Sequence, residues 1–276
     1  MNILQSMRRH RDQKTALLAT NFYNYETLLG VLHAARQQKS EIILQTSPST
    51  ISYLGSPAVA AAMARSVADQ EGVTAYLHLD HATDMDMLRA CVDAGYDSVM
   101  IDASEKPLKD NIAMTRQAVD YAHAAHVAVE SELGYVPKLG QHDVTTDGFT
   151  RPDEAKLFAQ ETAVDTLAVA IGTAHGFYKQ TPRLDFDRLA AIRAVVDIPL
   201  VLHGGSGLAP EMWQKAIDRG IAKINFATEI KNAFIRGIKK EFQTQESIDL
   251  RTIFPPAIAA VTTLVASKIM ICNGTH

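Results

Sequence analysis

The run AYLHLDHATDMDML, residues 75–88, sets His78, Asp80 and His81 at the end of an otherwise apolar, strand-like segment. Burying charge without a partner is costly, so these groups belong at an exposed strand end or around something they hold. The pattern recurs: His175 follows TLAVAIG through IGTAHG, and His203 ends PLVLHG. Three imidazoles with an open fourth position make a catalytic zinc site, with Zn–N distances of about 2.0–2.1 Å. The open position polarises a carbonyl or holds an enolate oxygen. One such histidine alone reads equally well as a satisfied rim or core residue. Three at equivalent strand ends, with carboxylates beside them, read as a metal set. Asp80 is the candidate for proton transfer, against the alternative of a carboxylate that only orients a histidine. Asp102 and Glu132 are alternate metal ligands or groups behind the ligands. His78 lies on Asp80's strand face by alternation and reads as structural. Glu130 reads as part of a polar interior, and His10, His33, His123, His126 and His276 as surface residues.

A second chemistry lies in LHGGSGLAPEMW, which runs from a strand into a helix. Gly204, Gly205 and Gly207 let backbone N–H groups crowd an oxyanion, and the helix N-terminus adds its dipole. INFATEI supplies Asn225, Ala227 and Thr228 to complete the cradle. No G-x-G-x-x-G or Walker loop is present, which argues against a dinucleotide or ATP enzyme.

The elements that must position these groups are short β-branched runs at 16–22, 41–47, 74–80, 98–104, 128–134, 166–172, 199–205 and 222–228, with helical patterns between them. Eight βα units in 276 residues predict an α/β fold, a TIM (β/α)8 barrel forming one domain over 1–276. The alternative, a doubly wound open sheet, does not usually need eight strands. The polar residues cluster at the C-terminal strand ends, where such a barrel holds its active site. The polar stretch 135–152 is long for a βα loop, and 250–271 reads as an extra C-terminal helix. A net charge of −4 gives no field for nucleic acid. The basic N-terminus lacks a signal peptide's apolar stretch, and no run is read as a membrane span. Two cysteines, Cys91 and Cys272, make a disulfide framework unexpected and point to a reducing, cytoplasmic setting.

ATNFYNYE, HLDHATD, SVMIDAS, ESELG, DTLAVAIGTAHGFY, PLVLHGGSGL and KINFATEIKNAF together resemble the class II, metal-dependent ketose-bisphosphate aldolases, from about residue 15 to about residue 240. The fructose- and tagatose-1,6-bisphosphate aldolases are the nearest branches. The resemblance implies cleavage of a phosphorylated ketose to dihydroxyacetone phosphate and an aldehyde. It implies Zn2+ on His81, His175 and His203, and proton transfer by Asp80 at the aldehyde-derived oxygen. Asp102 and Glu132 match carboxylates near an alternate metal position. Gly176, Gly204, Gly205 and Ser206 match the region that binds phosphate and a monovalent cation such as Na+. Asn225, Ala227 and Thr228 match substrate and phosphate contacts, and Asn21 and Ser47 match positions near the substrate's far end. A homodimer or homotetramer is implied, with an accessory subunit as a further partner.

Two departures bear on the substrate. The family's loop after ELG usually carries an acidic pair within a G-G-x-E-D type run. Here it reads LGQHDV, so Asp143 or His142 is the candidate acid/base. Where some members present a C-terminal arginine to a distal phosphate, this chain has Pro255, with Arg251 nearby. An alternative is therefore an aldolase of a ketose 1-phosphate whose distal end is not a phosphate, or a non-catalytic assembly subunit. A Schiff-base aldolase would need a buried lysine; Lys223 is the candidate. A metal-dependent isomerase or hydrolase is the other rival.

Overall fold

A computed structural model describes residues 2–137, 148–178, 180–244 and 247–275. The eight runs form eight parallel strands: β1 (Leu17–Asn21), β2 (Ile42–Thr46), β3 (Ala75–Ala82), β4 (Ser98–Ile101), β5 (Ala128–Leu133), β6 (Thr166–Val169), β7 (Leu200–Leu202) and β8 (Ile221–Phe226). They pair in chain order, and β8 closes on β1 from Leu17↔Lys223 to Thr20↔Phe226. The expected (β/α)8 barrel is what the chain adopts.

Three strands end three residues before their apolar runs do: β4 at Ile101, β6 at Val169 and β7 at Leu202. Gly172 and Gly204 have φ of 111° and 71°, backbone that a ladder does not accommodate. His175 and His203 therefore stand on loops beyond their strands, and Asp102 directly follows β4.

Inside the barrel, period-two alternation builds layers. Leu17 and Ala19 of β1, Ile43 of β2, Tyr76 of β3 and Ala128 of β5 form an apolar lower layer. The next inward positions on these strands are Asn21, Gln45, His78 with Asp80, and Glu130 with Glu132. The lower end is closed by α1 (Ile3–Asp12), whose Ile3 and Met7 pack into that layer. Glu41 fastens α1 by accepting from Ser6, Arg9 and, at 3.0 Å, the Tyr76 hydroxyl. His10, expected on the surface, is instead buried between Thr15 at 2.7 Å and Glu41 at 3.0 Å.

The outer helices are α2 (Tyr25–Gln38), α3 (Pro48–Leu54), α4 (Pro57–Glu71), α5 (Met85–Asp93), α6 (Leu108–Ala124), α7 (Pro152–Thr162), α8 (Phe186–Val195), α9 (Pro210–Asp218), α10 (Thr228–Thr244) and α11 (Leu250–Cys272). The last is the expected C-terminal helix. Contrary to the sequence reading, α11 is long and apolar enough to cross a membrane by length and composition. Here its Ala257, Val261, Val265 and Ile269 are buried in the main core instead.

The α10–α11 contact is backbone-close. A Cβ on Gly237 would lie 2.6 Å from Ala257 Cα and 3.0 Å from its Cβ. Gly237→Ala gains roughly 1 kcal/mol of helix propensity, but overpacking costs about 1–3 kcal/mol. We expect the thermal midpoint to fall, while Arg236→Ala, on the exposed side of α10, leaves it in place. A Gly237→Ala midpoint at or above wild type would show that the two helices separate cheaply.

Candidate metal centre and active site

Asp80 and His81 are neighbours on β3, so simple alternation would point them to opposite faces. The β3–β4 register shifts between Leu79 and Ala82, and His81 has φ 55°. This bulge turns both side chains toward the barrel mouth. They line one cavity of about 680 Å³, together with Asn21, Ser47, His175, Gly176, Gly204, Ser206, Asn225, Ala227 and Thr228.

The three histidines converge. Ring centroids lie 4.6 Å apart for His81–His203, 4.9 Å for His81–His175 and 6.0 Å for His175–His203. One ligand atom from each lies within 4.8 Å of the others, and His81, Asp102 and Glu132 form a second such set. His81 Nδ1 meets Asp102 Oδ2 at 2.6 Å, which leaves Nε2 to act as a ligand. His175 makes no ring hydrogen bond to any described residue. His203 is clamped on both sides, Nδ1 to Glu132 at 2.8 Å and Nε2 to Glu130 at 3.0 Å. It presents a lone pair only by exchanging one of these glutamates. Three imidazoles, two of them with carboxylate partners, fit a divalent cation of the zinc type.

Charge sets the protonation pattern. Burial lowers His175 to about 3, reinforced by His81 and His203. Burial opposes the charged form of His203 too, but Glu130 and Glu132 outweigh it and raise the ring to about 10. Burial would raise the Asp80 carboxyl; His81, then His203 and Lys223, hold it below the usual carboxylate range.

Asp80 is also held by three amides. Its Oδ2 accepts from Asn21 Nδ2 at 3.1 Å, and its Oδ1 from Gln45 Nε2 at 3.0 Å and Asn225 Nδ2 at 3.2 Å. A carboxylate accepts only, so each NH2 must face it. The carbonyl oxygens Asn21 Oδ1, Gln45 Oε1 and Asn225 Oδ1 are left buried, with no protein partner among the described residues.

The anion loop departs in part from expectation. The Gly205 amide donates to Asn225 O at 3.0 Å and the Gly207 amide to Glu229 Oε1 at 2.7 Å, so neither is free for an oxyanion. Gly205 is needed instead for close approach, since a Cβ there would meet Asn225 O at 2.8 Å. The Ala227 and Thr228 amides donate to Ser206 Oγ over long distances, 3.3 and 3.2 Å, which an anion's oxygen can replace. Ser47 lines the cavity and also caps α3 through the Thr50 amide.

Beneath the site, Lys223 Nζ binds both oxygens of Glu130 at 2.8 and 3.0 Å and approaches His78 Nε2 at 3.3 Å. His78 Nδ1 contacts Ser98 Oγ at 2.7 Å. His78 and Glu130 are thus interior, as expected. Lys223 is fully buried, paired and absent from the cavity wall, which removes it as a Schiff-base nucleophile. Arg251 is paired with Asp249 on the exposed surface. His142 and Asp143 lie outside the described residues. Sequence reasoning missed Gln45, Tyr23 and Lys231; the only signal for Gln45 was a polar residue inside EIILQTS.

A profile of the family described as fructose-bisphosphate aldolase class-II matches residues 1–276. The chain belongs to this family. It is an aldolase, a carbon–carbon lyase, and the family is metal-dependent. The chain is similar to the YdjI aldolase from Escherichia coli K12, with 31% identity, TM-score 0.87 and coverage of 98% of this chain and 96% of that one. A Coccidioides immitis protein assigned provisionally as a fructose-1,6-bisphosphate aldolase gives 28%, 0.89, 99% and 96%. Fructose-bisphosphate aldolase from Campylobacter jejuni, at 21% identity, shares the fold, with TM-score 0.85 over 98% and 93%.

The buried His78–Lys223 contact predicts a loss of stability in acid. Burial, then Lys223, lowers His78 to about 3, against about 6.5 when unfolded. A base whose folded pKa is depressed gives full stability above pH 6.5 and loses it as pH falls toward 3, by up to about 1.4 kcal/mol per unit. Urea unfolding of metal-stripped protein should weaken from pH 7 to pH 5, and less so in His78→Asn. Equal slopes would remove His78 from this role.

Proposed function

We propose that this aldolase cleaves a ketose 1-phosphate, with tagatose- and fructose-1,6-bisphosphate as reference substrates, to dihydroxyacetone phosphate and an aldehyde. The reading rests on one observation: the amide-held Asp80 lines the same cavity as His81 and His175, two members of a three-histidine donor set whose third, His203, is fully buried. His81, His175 and His203 would hold zinc, with Asp102 and Glu132 behind them. When bound, the cation supplies a Lewis acid that draws charge from the ketose carbonyl.

The protein's own groups do the rest. Asp80, ionised in the resting site, takes the proton of the hydroxyl whose carbon becomes the aldehyde. The C3–C4 bond breaks, and its electron pair passes to the dihydroxyacetone phosphate fragment. A proton then returns to that fragment's carbon, a step assigned to Asp143 or His142. Asn21, Gln45 and Asn225 fix the Asp80 carboxylate, and their three carbonyl oxygens stay buried with no protein partner among the described residues. Gly204, Ser206, Ala227 and Thr228 form the phosphate cradle, with Gly176 beside them and a Na+-type cation as an accessory. The free, buried thiols of Cys91 and Cys272 suit a reducing cytoplasm.

Release of dihydroxyacetone phosphate from a panel of ketose 1-phosphates and 1,6-bisphosphates tests this reading. Release should stop with chelator and return with zinc. Asp80→Ala should retain metal and lose at least about 100-fold in kcat, in the range typical of general acid–base groups. Cleavage insensitive to chelator, or near-normal turnover in Asp80→Ala, would sink the mechanism.

A further inference from the structure

Two of the three histidines are oriented by carboxylates: His81 by Asp102, and His203 by Glu132 and Glu130. His175 has no such partner among the described residues, so its position is set through its backbone. The His175 amide donates to Pro137 O at 2.8 Å. One residue earlier, the Ala174 amide donates to the Tyr178 hydroxyl at 2.7 Å, and that hydroxyl donates to Gly204 O at 3.0 Å. Ala174 precedes His175, and Gly204 follows His203. A single phenol thus joins the neighbours of two candidate ligands.

The loops meet closely here. A Cβ on Gly204 would lie 2.5 Å from Ala174 O. The Tyr178 ring continues to the anion loop, where a Cβ on Gly207 would come 3.3 Å from Tyr178 Cδ2. Burial pushes the phenol up to about 12, so it carries a proton to donate at working pH.

We propose that the Tyr178 hydroxyl is a positioning crossbar: it sets the spacing of His175 from His203, and so the metal affinity, and ties that spacing to the Gly204–Gly207 loop. The inference rests on the metal-aldolase reading above, and its test separates the two.

Zinc affinity of the full chain would be measured by competition with a chromophoric chelator, for wild type, Tyr178→Phe and Tyr96→Phe. Tyr96, whose hydroxyl meets Thr46 Oγ1 at 2.8 Å, controls for loss of a buried hydroxyl elsewhere. Partners that orient ligands typically change metal affinity 10–100-fold. Tyr178→Phe should weaken zinc about tenfold or more, with Tyr96→Phe within about twofold of wild type. Tyr178→Phe within twofold, or an equal loss in Tyr96→Phe, overturns the crossbar. Should Tyr178→Phe not fold, hydrogen exchange in wild type decides: the Ala174 amide should be protected in metal-free protein, and an unprotected amide overturns the proposal. Wild type that binds zinc but cleaves no ketose phosphate fails the functional reading alone.

Discussion

Glu130 carries the charge balance on which the interior depends. Both of its oxygens bind the Lys223 ammonium, and one also meets His203. Taking such ions out of water costs several kcal/mol each, repaid only by close pairing and full hydrogen bonding. Without Lys223, Glu130 and Glu132 would share the single positive charge of the His203 ring. The barrel thus grades upward from an apolar base, through one tightly paired salt bridge, to a polar mouth. Lys223 is structural because its ammonium is already engaged, not because its residue type forbids chemistry.

The bulge in β3 does a different job. A regular strand would send Asp80 and His81 to opposite faces. A left-handed His81 costs about 1–3 kcal/mol, and in return two adjacent residues enter one cavity with separate partners. Asp80 faces three amides from β1, β2 and β8, while His81 faces Asp102 beyond β4. Proton handling and metal holding are thereby divided between neighbours that do not share a hydrogen bond.

Much of this was legible in the sequence, because strand period and strand-end chemistry are local signals. Eight runs ending in polar residues identified the barrel, its mouth and the three histidines. What the sequence hid depends on neighbours brought by register. Gln45 reads as one polar residue in an apolar run, and only the closed sheet sets it against Asp80. His10 reads as a basic-tail residue until α1 docks under the barrel. Gly205 and Gly207 read as anion donors, but Asn225 and Glu229 take their amides. The double clamp on His203 comes from alternate positions on β5, a strand distant in sequence.

The mouth has two unlike halves, and they differ in how freely evolution can revise them. On the side of β7 and β8, Gly204 and Gly205 approach backbone too closely for any side chain, and Gly204 holds a left-handed conformation against Ala174 O. Substitution there is closed off, whatever a new substrate demands. Away from these glycines, Ser49 and Tyr53 of α3 and Lys231 in the first turn of α10 line the same cavity, and Tyr53 is 75% exposed. These positions accept new side chains without moving the chain. Descendants of this aldolase would therefore diverge in the sugars they accept along α3 and α10, while the glycine loops stay fixed.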